Sequence, residues 1–203
     1  GMVNAVAAGL GRFWARQNDS TANLVHGPVA TSLARSDEQS QVSLFTLLTG
    51  TVEERIRPRG VEVLRGGTGR GVLVGGNLTT LVHSLGTPWD HSWDGCLLLL
   101  EDTNEPLYRL DRMLTQLALA GRFERLAGLI LGDFDLDGAD SLAGLRLREA
   151  VWARVLELVG PGFPVWAEFP SGHRTANLAL PMGMEAVMDE GVLRFLPGSV
   201  TLA

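Results

Sequence analysis

The chain has 203 residues, a formal net charge of −6 and 45 % hydrophobic residues, and all 17 of its basic side chains are arginine. Without lysine there can be no Schiff base, pyridoxal-phosphate anchor, Ser-Lys dyad or P-loop, and without a basic stripe there is no nucleic-acid footprint. A single cysteine, Cys96, excludes an internal disulfide and a multi-cysteine zinc site.

Taken in order, Val3, Val6, Leu10 and Phe13/Trp14 recur at helical spacing and predict a helix within residues 2–16. Leu24-Val25-His26-Gly27-Pro28 reads as a strand running into a loop. A second helix is predicted over Asp37–Leu48, with Val42, Phe45 and Leu47/Leu48 on one face. Residues 50–72, with several arginines, Pro58 and Gly66-Gly67-Thr68-Gly69, read as a linker of short strands and a turn. Beyond it the pattern is strand–helix–strand: strand Gly71–Val74, helix Asn77–Leu85 capped by Gly76 or Asn77, and buried strand Leu97–Leu100. Helix Tyr108–Ala120 turns Leu110, Met113, Leu114 and Leu117 inward and stops at Gly121. Strand Leu126–Leu131, helix Leu142–Val159 and strand Pro164–Glu168 follow. Closing strands are predicted at Glu185–Val187, Val192–Leu196 and Val200–Leu202, with a turn at Glu190-Gly191. Apolar strands alternating with helices make this an α/β chain with a largely buried sheet. No apolar run has the length of a membrane span and no signal peptide opens the chain, so a cytoplasmic location is expected.

Two motifs fail on inspection. Gly66–Gly71 has the outer spacing of a dinucleotide loop, but its third position is Thr68 and a strand follows, so it is a turn. Asp133-Phe134-Asp135-Leu136-Asp137-Gly138 copies the start of a calcium loop, yet the twelfth position is Gly144 where a bidentate glutamate is needed. The histidines, His26, His83, His91 and His173, show no metal-ligand spacing, and no metal or cofactor is implied. His173 stands apart because Pro170-Ser171-Gly172-His173 is a small-residue turn after a predicted strand, where α/β proteins place their chemistry. An imidazole there can act as general base and then as acid. Glu101 ends a run of four leucines, and a charge there must be paired, solvated or functional. Two functional readings stay open: Glu101 orients His173 as in a nucleophilic triad, or Glu101 and Glu105 flank a glycosidic bond.

A family resemblance is carried by Gly75-Gly76-Asn77-Leu78-Thr79, Leu85-Gly86-Thr87-Pro88, Leu100-Glu101-Asp102-Thr103-Asn104-Glu105 and Tyr108–Leu117. Leu129-Ile130-Leu131-Gly132-Asp133-Phe134, Gly172-His173 and Leu180-Pro181-Met182-Gly183 continue it, and His26-Gly27-Pro28 precedes it. In this order the segments resemble the LD-carboxypeptidases, serine peptidases that remove the terminal D-alanine from murein tetrapeptides during cell-wall recycling. Related proteins confer immunity to a peptide–nucleotide antibiotic. The resemblance implies an N-terminal α/β nucleophile domain and a swivelling-type β/β/α C-terminal domain with a mixed sheet. Here it implies a helix-and-strand remnant of the first domain over 1–49, the linker over 50–72 and the C-terminal domain over 73–203. By resemblance Glu101 and His173 are catalytic, and Gly76, Asn77 and His26 bind the murein peptide, in a homodimer with no nucleic-acid or membrane partner.

One element of the family is absent. Its nucleophilic serine lies in a Gly-x-Ser-Asp turn that opens a helix ahead of His-Gly-Pro, and no such tetrapeptide occurs in these 203 residues. Ser20 lies in a polar loop, and Ser171 is too close to His173 in sequence to be its attacking partner. The chain is therefore expected to carry two members of a triad and to be inactive alone. A non-catalytic peptide-binding or assembly module is the alternative.

Overall fold

The computed structural model describes residues 24–135 and 142–196. The predicted helix over 2–16, Ser20, the final strand Val200–Leu202 and residues 136–141 of the calcium-like loop lie outside the described residues.

The N-terminal part comprises β1 (Leu24–His26), α1 (Ala30–Leu33) and α2 (Glu38–Leu48). Helix α2 starts where expected because Asp37 accepts a hydrogen bond from the Ser40 backbone N–H at 2.7 Å, satisfying a donor with no partner inside the helix. Its predicted apolar row points outward: Val42, Phe45 and Leu48 are each more than half exposed, while Ser40 and Leu44 face inward.

The stretch over 50–72 is more than a spacer. It supplies β2 (Arg55–Ile56) and β3 (Glu62–Arg65), which form the two edges of one eight-stranded sheet. Between them lie β4 (Thr68–Asn77), β5 (Leu97–Thr103), β6 (Gly128–Asp135), β7 (Val165–Ala167), β9 (Glu185–Asp189) and β10 (Val192–Phe195), in the order β2-β10-β9-β4-β5-β6-β7-β3. Strands β4 to β7 run parallel, whereas β9, β10 and both edges pair antiparallel, giving the mixed sheet. A separate pair joins β1 to β8 (Leu180–Met182), a strand the sequence pattern did not mark. The glycine run Gly66–Gly71 enters β4 directly, with no helix after it.

Helices α3 (Leu78–Ser84), α4 (Leu107–Leu119) and α5 (Leu142–Leu158) cover one face of the parallel strands. The period of two divides the four leucines of β5. Leu98 and Leu100 enter the core beneath the helices, and Leu97 and Leu99 enter a second core with Trp166, Phe169 and β8. By the same alternation Glu101 continues the second face and Asp102 the helical one. Among the described residues no helix is long and apolar enough to cross a membrane.

Candidate active site

The parallel strands β4, β5 and β6 all end on one side of the sheet, the position where open α/β sheets place ligands. Asn77 is in register with Glu101, and Gly76 with Leu100, so the Gly76-Asn77 corner and the Glu101-Asp102 pair lie side by side. Neither carboxylate is in a loop: both lie inside β5 and are buried, to 2 % and 4 % exposure.

Their roles divide by face. Asp102 accepts hydrogen bonds from Asn77 Nδ2 (2.9 Å), the Thr79 backbone N–H (2.9 Å) and Thr79 Oγ1 (2.7 Å), anchoring the start of α3. Asn77 is itself the N-cap of that helix, its Oδ1 accepting from the Thr80 N–H at 3.0 Å. Glu101 faces the other way. Its Oε2 lies 3.2 Å from His173 Nδ1, an ion-pair distance without the alignment of a full hydrogen bond, and among the described residues no other donor reaches that oxygen. The partners differ in access, the His173 side chain being 50 % exposed and that of Glu101 2 %. The adjacent carboxylate raises the His173 pKa above its ordinary value against the opposing effect of partial burial, and Asp102 adds to the rise.

His26, on β1 opposite Leu180, is buried within electrostatic range of both groups. Burial lowers its pKa, partly offset by the negative charge of Glu101, so a neutral imidazole flanks the pair. Glu105 is turned away: its carboxylate meets Arg109 at 3.4 Å on the surface of α4.

Sequence reasoning missed a chain of charges behind the site. Arg148 on α5 pairs with Glu168 at 2.9 Å, Glu168 with Arg174 at 3.2 Å, and Arg174 Nε with Asp133 Oδ1 at 2.7 Å. The signal was charged residues directly after apolar strands, Asp133 in β6 and Glu168 after β7. Burial lifts the Asp133 pKa to about 6 despite Arg174. Ser36 follows His26-Gly27-Pro28 and lies just ahead of α2. Its hydroxyl donates to the Ser32 carbonyl at 3.3 Å, and the Asp37 N–H donates to the Thr175 carbonyl at 2.9 Å, tying α2 to the His173 loop. The Ser171 side chain is fully buried, out of reach of a peptide substrate.

The arrangement sets a half-exposed imidazole against a buried carboxylate, with a capped strand corner beside them, a geometry that can support acid–base chemistry. The family model for the LD-carboxypeptidase C-terminal domain matches residues 70–188. A Synechocystis sp. relative is 34 % identical over 189 residues, covering 92 % of this chain and 60 % of its own length. A murein tetrapeptide carboxypeptidase of Pseudomonas aeruginosa is 35 % identical over 185 residues, covering 84 % of this chain and 57 % of its own. The chain thus spans 57–60 % of the length of these relatives. Among solved structures, a muramoyltetrapeptide carboxypeptidase from Oxalobacter formigenes is similar over 95 % of this chain and 65 % of its own, with 25 % identity and a TM-score of 0.70. The microcin C7 self-immunity protein shares the fold over 97 % of this chain and 66 % of its own, with 22 % identity and a TM-score of 0.73.

Proposed function

We propose, from the premise that this chain belongs to the LD-carboxypeptidase family, that it carries the base and orienting acid of a serine-type peptidase that releases terminal D-alanine from murein L,D-tetrapeptides. The observation that carries the reading is the half-exposed imidazole of His173 held 3.2 Å from the buried carboxylate of Glu101 at the ends of the parallel strands. His173 takes the proton of an attacking serine hydroxyl. The serine oxygen then bonds to the carbonyl carbon, and the proton passes to the amine of departing D-alanine. Water reverses the same steps to free the shortened peptide. Glu101 stabilises the imidazolium that forms in each half. Gly76, Asn77 and His26 frame the peptide beside this pair, and the reaction belongs to cytoplasmic cell-wall recycling.

The serine is assigned to a Gly-x-Ser-Asp turn outside these 203 residues, with 1–49 as the tail of the domain that bears it, 50–72 as its connection and 73–203 as the domain of Glu101 and His173. Loss of a nucleophile leaves only the small residue of catalysis that binding and oxyanion donors provide. Incubated with a murein L,D-tetrapeptide, the chain alone is therefore expected to release no D-alanine. Release that disappears in Ser36→Ala or Ser20→Ala would place a nucleophile inside the chain and overturn this part of the reading.

One observation favours a second reading, a non-catalytic binding or assembly module. The exposed row Val42–Phe45–Leu48 on α2 is an apolar surface of the kind that proteins cover with a partner. Sedimentation tests the surface itself: an assembly module requires self-association of the chain that is lost in Phe45→Asp.

A further inference from the structure

Strand β6 carries one more residue than β5 where the site is built. Leu100 and Asp102 of β5 pair with Leu131 and Phe134 of β6, so the register slips across Gly132-Asp133. A bulge of this kind bends a strand and re-aims its side chains, and bulges recur beside active sites. Both bulged residues touch the site. A Cβ at Gly132 would run into the Ser171 carbonyl and come within 3.2 Å of Glu101 Cβ, so the missing side chain lets the His173 loop settle against the strand that bears Glu101. The Asp133 backbone N–H donates to the Ser171 carbonyl at 2.9 Å.

The Asp133 side chain then grips the residue after the histidine twice. Its Oδ2 accepts from the Arg174 backbone N–H at 3.2 Å, and its Oδ1 lies 2.7 Å from Arg174 Nε. Gly172 completes the fit. Its φ of 145° is a glycine conformation, and a Cβ there would sit 2.6 Å from Asp133 Cβ. His173 is thus held between two residues that both bear on Asp133. Glu168, in a left-handed backbone at φ 53°, steadies the far side of Arg174 and is itself held by Arg148. Strained backbone is retained where its surroundings over-determine it, commonly at functional sites.

We propose that Asp133 is a positioning residue that, through both grips on Arg174, holds the His173 ring against Glu101. The proposal rests on the reading of Glu101 and His173 as acid and base. It adds that their separation is set from β6, by a residue that touches neither substrate nor the reacting atoms. Among the described residues, the titratable groups facing His173 are Glu101, Asp102 and His26, and those facing Asp133 are Arg174, Glu168 and Asp135.

The test is the titration of the His173 ring, followed by NMR in the unaltered chain and in variants whose spectra show an intact fold. Glu101→Gln sets the scale by dropping the midpoint toward the ordinary value of about 6.5. Asp133→Ala is expected to produce at least half of that drop. Asp133→Asn, which keeps an oxygen for the Arg174 N–H, should restore most of it. Gly172→Ala alters no charge, displaces the loop from Asp133, and should lower the midpoint as Asp133→Ala does. Equal drops in Asp133→Ala and Asp133→Asn with none in Gly172→Ala would mean that only charge is felt, and would overturn the proposal. So would an unmoved midpoint in all three. Should Asp133→Ala not fold, the Gly172→Ala and Asp133→Asn results decide alone. None of these readings needs turnover, so this inference and the peptidase assignment can fail separately.

Discussion

At the scale of single residues, the site is a contest between burial and pairing. The His173 pKa is raised by Glu101, and the sign of the consequence follows from linkage. The pair's contribution to stability is fully present below the unfolded-state value of about 6.5 and is lost as pH rises through the folded value. Glu101→Gln should therefore flatten the loss of stability as pH rises above about 6.5, measured by urea unfolding at several pH values. Joined to a nucleophile, the same substitution should lower kcat on the order of 10⁴-fold, the scale of loss when an orienting acid becomes an amide. Asp133 acts with the same sign but from the opposite cause, because here burial outweighs pairing and lifts it from 3.8 to about 6. Between those values the folded chain holds a proton that the unfolded chain has released, so stability falls as pH rises. Relative to Asp133→Asn, the unaltered chain should lose roughly 2 kcal/mol between pH 4 and pH 7. Glu101 and His173 were legible in the sequence because their contexts were unusual, a carboxylate closing an apolar run and a histidine in a small-residue turn. Asp133 was not, since the acids around it suggested a solvated loop and its partner Arg174 is 41 residues away.

At the scale of elements, alternation along β5 accounts for the separate duties of two adjacent carboxylates. Asp102 serves the helical face and holds α3 by its first turn, so Asp102→Ala should strand several part-buried donors. A loss of roughly 3 kcal/mol is expected, seen as a lower urea midpoint with an unchanged slope. The helices and parallel strands were readable because apolar runs and a cap such as Asn77 act locally. Strand β8 was hidden by its proline and by its three-residue length, and its partner β1 lies more than 150 residues away in sequence. The destination of β2 and β3 was hidden for a related reason. Edge strands of two and four residues carry too little pattern to say which sheet they join.

At the scale of the molecule, the parallel strands bring the Gly76-Asn77 corner, Glu101 and Asp133 to one side, and the loop after β7 brings His173 to meet them. The antiparallel half, with β1 and β8, closes the second core behind Glu101 and places His26 near it. Helix α2 is tied to this assembly through Asp37 and Thr175, while its row Val42–Phe45–Leu48 remains open. His173 and Glu101, proposed as base and acid, thus meet at the ends of the parallel strands. The most direct test joins this chain to the Gly-x-Ser-Asp-bearing N-terminal segment of a family relative and measures D-alanine released from a murein L,D-tetrapeptide. The account predicts release by the joined protein, none by this chain alone, and loss of release on His173→Ala. Undiminished release by the joined His173→Ala protein would contradict it.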